Sequence, residues 1–85
     1  MSEVSEVKKV KMEEADKVVG GYVVLWRKDA KTACKVESVD KENHQIVYEI
    51  ISGGDKGKRF MAKYDPSQTI ELYDEGSVIL AALNV

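Results

Sequence analysis

Across residues 22–73 apolar side chains recur at every second position, in short runs separated by clusters of turn-forming residues. That period places one set of side chains on each face of an extended strand, as no helix would. Tyr22-Val23-Val24-Leu25-Trp26 opens the series and is β-branched and aromatic, as strands prefer. In the next run Cys34 and Val36 lie opposite Lys35 and Glu37; over residues 45–51, Ile46, Tyr48 and Ile50 share a side. Phe60, Ala62 and Tyr64 then oppose Arg59, Met61 and Lys63, and Thr69-Ile70-Glu71-Leu72-Tyr73 closes the series. Between the runs stand Lys28-Asp29-Ala30-Lys31, Asp40-Lys41-Glu42-Asn43, Ser52-Gly53-Gly54-Asp55-Lys56-Gly57 and Asp65-Pro66-Ser67, all rich in residues that suit turns. No helical segment separates the strands, so the crossovers that a parallel sheet requires are missing. The pattern predicts an all-β chain forming a five-stranded, SH3-like small barrel. Its expected core is Val23, Leu25, Cys34, Val36, Ile46, Tyr48, Ile50, Phe60, Ala62, Ile70 and Leu72.

The flanks are less regular. Residues 1–11 alternate valine with charge and read as a flexible N-terminal arm, which leaves residues 12–85 as a single domain. Lys11-Met12-Glu13-Glu14-Ala15-Asp16-Lys17-Val18-Val19 suits a short helical lead-in, with Met12, Ala15 and Val19 on one side and Gly20-Gly21 as its stop. Residues 77–85 form an apolar C-terminal segment, compatible with a helical turn or a sixth strand. The segment either packs on the open end of the barrel or meets a partner, a second copy included, through Val78, Ile79, Leu80 and Leu83.

Several chemistries are unsupported. One Cys and one His in 85 residues furnish neither a disulfide nor the three or four nitrogen and sulfur ligands of a zinc site. Cys34 is expected in the core and His44 in an exposed turn. The segment from Gly53 to Arg59 superficially suggests a phosphate loop, but Ser52 stands where the first glycine belongs and Arg59 where the hydroxyl belongs. Glu13-Glu14 and Asp74-Glu75 lie in polar stretches without a perturbing environment. The chain is therefore expected to be a non-enzymatic binding module with no cofactor and no metal. No apolar run approaches the length of a bilayer span and the first residues lack a signal-peptide order, so the expected setting is cytoplasmic, without a membrane.

A net charge of −2 conceals two basic blocks, each with an excess of two positive charges, over residues 20–39 and 52–65. The last twenty residues hold three acids and no base. The loop 52–59 combines glycines, which admit close backbone approach, with Lys56, Lys58 and Arg59; Lys63 follows on the next strand. Trp26, Arg27 and Lys28 stand together at the end of the first strand, beside Lys31 and Lys35 of the same block. Cations that neutralise phosphates and a ring that stacks on an unpaired base together make a nucleic-acid contact surface. The expected contact residues are Trp26, Arg27, Lys28, Lys56, Lys58, Arg59 and Lys63. The alternative is a protein-interaction module acting through a strand edge or the C-terminal segment.

Two resemblances support this direction. Gly21-Tyr22-Val23-Val24-Leu25 followed by Cys34-Lys35-Val36-Glu37-Ser38-Val39 resembles the N-terminal barrel of the elongation factor P family. Ile50-Ile51-Ser52-Gly53-Gly54-Asp55-Lys56-Gly57-Lys58 is similar to the loop of KOW-type modules. Both families are SH3-like barrels in proteins that touch ribosomes, RNA polymerase or nucleic acid, and the resemblance implies an accessory factor of such an assembly. The modified-lysine loop of the translation factors has no counterpart in Asp40-Lys41-Glu42-Asn43-His44, and Arg59-Phe60-Met61 stands where KOW modules carry a second glycine-valine. The resemblance thus implies a fold and a class of partner, not translation-factor activity.

Overall fold

A computed structural model of the chain describes residues 8–27 and 30–83. Its strands are β1 (Lys8–Lys11), β2 (Tyr22–Arg27), β3 (Ala30–Asp40), β4 (Gln45–Ile50), β5 (Arg59–Lys63) and β6 (Thr69–Leu72). A 3-10 segment, Met12–Val18, follows β1, and helix α1, Glu75–Leu83, ends the fold. Strands β2 to β5 form an antiparallel meander, and β1 pairs antiparallel with β6 in a second sheet. A single bridge, Tyr22 to Tyr73, links the sheets.

The all-β reading holds in outline, and four expectations need correction. Lys8–Lys11, placed with the arm, is a strand in register with β6, and its Val10 packs on the core. Residues 77–83 are helical, and they lie on the outer side of β2 and β3 instead of plugging an open end. Among the described residues the strands number six, and their hydrogen bonding does not close a five-stranded barrel. Beyond the Tyr22–Tyr73 bridge, β2 and β6 diverge around a groove of about 380 Å³ lined by Val24, Leu25, Thr69 and Glu71 among others.

Two apolar clusters result. The larger lies between the sheets and contains every residue of the expected core; Val23, Cys34, Val36, Ile46, Tyr48 and Ile50 are fully or nearly fully buried. It also takes Met12, Ala15 and Val18 from the 3-10 segment. The lead-in was expected to turn Val19 inward, yet Val18 is buried and Val19 is exposed. With three residues per turn, a 3-10 segment aligns positions 12, 15 and 18 on one side, where an α-helix would drift toward 19. Gly20 follows at φ +87°, and the Gly20 and Gly21 backbone bonds to Val36 at 2.9 Å seat the turn on β3.

The smaller cluster joins Ala33, Val78 and Ala82 with Tyr22, Val24, Ile51, Tyr73 and Ile79. Thus β2 and β3 carry apolar side chains on both faces, turned to the larger cluster on one and to α1 on the other. A strand buried twice reads as a continuous apolar run. This accounts for Tyr22-Val23-Val24-Leu25, where β4 and β5 alternate. A bulge between Val36 and Ser38 shifts the register of β3 on β4, so Val39, not Ser38, returns to the core side.

Cys34 is inaccessible in this core. Burial, only partly opposed by the Arg27 charge, pushes its thiol up to about 11. Because the thiolate is the reactive form, labelling by an aromatic disulfide reagent at pH 8 should be slow in the folded protein. In denaturant it should be fast and stoichiometric. Equal rates in both conditions would show that Cys34 is not enclosed.

The turns are held by their own side chains. Asp40 accepts hydrogen bonds from the Glu42 and Asn43 backbone N–H groups at 3.0 and 3.2 Å and from Asn43 Nδ2 at 2.8 Å. Asp65 accepts from Ser67 N–H at 2.9 Å and from its hydroxyl at 2.8 Å. These bonds favour the ionised forms and lower both carboxyl pKa values, led by the Asn43 side chain for Asp40 and the Ser67 backbone for Asp65. His44 is exposed in its turn, as expected, at φ +54°.

Candidate functional site

The alternation of β2 sends Val23, Leu25 and Arg27 to one face and Tyr22, Val24 and Trp26 to the other. Helix α1 covers Tyr22 and Val24, while Trp26 remains 66% exposed. Its ladder partner across the hairpin is Lys31, whose Nζ lies 5.8 Å from the centre of the indole ring. An exposed Trp next to an ammonium group is unusual for a side chain that gains so much from burial.

Arg27 lies on the other side of β2. Its guanidinium carbon is 4.9 Å from the centre of the Phe60 ring, and Nη1 is 3.6 Å from Asp55 Oδ2. Asp55 also receives Lys58 Nζ at 3.3 Å on Oδ1. The 52–58 loop that carries both is held by bonds within itself, to the end of β4 and to β3. Lys58 N–H donates to Asp55 O at 3.0 Å, Gly57 N–H donates to Ile50 O at 2.7 Å, and Ser52 Oγ accepts from Ala33 N–H at 3.0 Å. Gly57 sits at φ +96° and Gly53 at φ +80°, in the left-handed region that glycine tolerates. A cleft of about 250 Å³ separates this loop from the end of the β2–β3 hairpin, bordered by Arg27, Lys31, Thr32, Ser52, Gly54 and Asp55.

The remaining expected contacts lie elsewhere. Arg59 is on the outer face of β5, 3.0 Å from Glu37, and the cross-strand row Lys35–Glu49–Arg59 alternates in sign. Lys63 pairs in register with Gln45, at the opposite end of β5 beside the Asp40–His44 turn. Lys56 faces α1, bordering a hollow of about 390 Å³ with Tyr22, Lys35, Ile51, Glu75 and Ile79. Lys28 lies outside the described residues. The fold thus gathers Trp26, Arg27 and Lys58 at one end of the meander, and it separates Arg59, Lys63 and Lys56 from them.

Two members of this constellation were not expected. Lys31 had been grouped with the first basic block without being singled out, although its position opposite Trp26 follows from a tight hairpin. Asp55 was read as part of the loop only; its spacing of three from Lys58 was the available signal. The approach of Arg27 to Phe60 and Asp55 joins residues far apart in the chain and has no local signature.

Of the expected partner surface, Val78 is fully buried and closed to a second protein, while Ile79 is half-buried against the smaller cluster and borders the hollow beside Lys56. Leu80 and Leu83 are 69% and 68% exposed, one turn apart on α1. Among the described residues no group of three or more His, Cys, Asp or Glu side chains is placed to hold a metal ion, and no helix is long and apolar enough to cross a membrane. Compared with known proteins, the chain matches no family profile, no curated protein and no solved structure.

Proposed function

We propose that this chain is a non-enzymatic, nucleic-acid-binding accessory module of a nucleoprotein assembly such as a ribosome or RNA polymerase, built on an SH3-like small barrel. The barrel reading is supported by one core shared between the two sheets and by the bridge that joins them. The observation that carries the functional reading is Trp26, exposed at the end of a strand whose other apolar residues are buried or half-buried, and flanked by Lys31. Arg27, Lys31 and Lys58 border or adjoin the same cleft. A ring with one free face offers every base a stacking surface, and adjacent cations hold the backbone without reading sequence. This arrangement suits single-stranded or unstacked segments better than a regular duplex.

Trp26 is the sole tryptophan, so its emission reports directly on this site. Titration with a single-stranded oligonucleotide at low salt should quench the emission, and the affinity should fall steeply as salt rises. Trp26→Ala should weaken binding by about 1–3 kcal/mol while leaving the fold intact. Absence of both quenching and binding at low salt refutes the reading. A protein-interaction role is favoured by the two exposed leucines of α1, but Val78 is buried against the sheet and Ile79 half-buried, which leaves that surface small.

A further inference from the structure

Two cations at the site converge on one carboxylate. Arg27 Nη1 and Lys58 Nζ approach different oxygens of Asp55, at 3.6 and 3.3 Å. Arg27 also lies over the Phe60 ring, 4.9 Å from its centre, a contact independent of the carboxylate. Asp55 stands at the edge of a cleft whose other borders are the backbone of Gly53 and Gly54, Lys31 and the Ser52 side chain. A Cβ built on Gly53 or Gly54 would meet nothing within 4 Å, so the backbone there lies open to an incoming group. Two oxygens of one anion, between an arginine fork and an ammonium, describe what a phosphodiester would present to the same pair.

We infer that this cleft is a phosphate subsite for a single-stranded polynucleotide, and that Asp55 holds the place of the phosphate until the ligand displaces it. The inference rests on the nucleic-acid reading and adds the position of the backbone relative to the stacked base. Lys31 links the two parts, since it lies beside the Trp26 ring and also borders the cleft. Both ion pairs are partly exposed to solvent, with the Asp55 side chain 42% accessible. Pairs of this kind are weak enough for a polyanion to exchange with them. Asp55 then acts as a built-in competitor that lowers affinity for isolated phosphates and favours ligands that also stack.

The test is Asp55→Asn, which keeps the size of the side chain and removes its charge. Affinity for a single-stranded oligothymidylate should rise roughly three- to ten-fold at low salt, as expected when two modest ion pairs no longer compete. The plot of log affinity against log salt should steepen by roughly 0.7 for each additional phosphate neutralised. Asp16→Asn is the control: it removes the same charge and releases Lys41 from a 3.3 Å pair elsewhere on the surface. An equal gain in Asp16→Asn would reduce the effect to net charge and overturn the subsite. Competition by a polyglutamate as effective as by the oligonucleotide would overturn it in favour of an acidic protein partner. If the wild type binds with Trp26 quenching but Asp55→Asn leaves the affinity unchanged, the subsite fails and the broader reading survives. If neither protein binds, both fall.

Discussion

Replacing Ile50 by alanine is expected to destabilise the protein by about 2–5 kcal/mol. Ile50 is 1% exposed, faces Cys34 in register across β3 and β4, and lies in the core between the two sheets. Its backbone also anchors the 52–58 loop, donating to Lys58 O at 2.8 Å and accepting from Gly57 N–H at 2.7 Å. A cavity at this point therefore loosens the core and the base of the 52–58 loop together. For a domain with a total stability of roughly 5–15 kcal/mol, such a loss is a large share. Urea unfolding should show the midpoint falling by about 1–2 M at unchanged slope. Met61→Ala, at a side chain 60% exposed on β5, should stay within about 0.5 kcal/mol of the wild type. Similar losses in both variants would show that the core is not where the burial places it.

Val78→Asp is expected to detach α1. Val78 is completely buried in the cluster that also holds Ala33, Tyr22, Val24 and Ile51. A charge forced into that contact costs more than the helix can recover, so the helix leaves the sheet and exposes the outer side of β2 and β3. The loss should reach roughly 3–5 kcal/mol, at the top of the range for single substitutions. Hydrogen exchange distinguishes undocking from global collapse. The Val78 amide, which donates to Asp74 O at 2.9 Å, should lose protection, while amides bordering the larger core keep theirs. Leu80→Asp, on the exposed side of the same helix, should leave stability nearly unchanged. If Leu80→Asp proves as damaging as Val78→Asp, the helix does not sit on the sheet in this orientation.

Much of the interior was legible from spacing. The alternation through β4 and β5, and the outward Lys35 and Glu37 of β3, sort side chains between core and solvent without reference to any neighbour. Less legible was what covers the second face of a strand. Trp26 shares a face with Tyr22 and Val24, and whether that face is wet depends on where α1 lands. The same holds for the lead-in, where Val18 and Val19 differ by a single position and only the tightness of the turn decides between them. At the site, the Trp26–Lys31 neighbourhood follows from hairpin pairing, whereas the convergence of Arg27, Phe60 and Asp55 depends on how β5 and its loop return to β2.

Read by itself, the chain determined an antiparallel β architecture, the strand residues at the centre of its principal core, and the loops that carry its charge. Those follow from period and turn chemistry, which act between near neighbours. Only the tertiary structure decided that Lys8–Lys11 joins β6, that the last turns are a helix laid over β2 and β3, and that the cations divide between one cleft and a mixed-charge face. These outcomes depend on contacts between distant segments, whose free energy is set by the surfaces they bury together, and no single stretch of sequence contains both halves of such a contact.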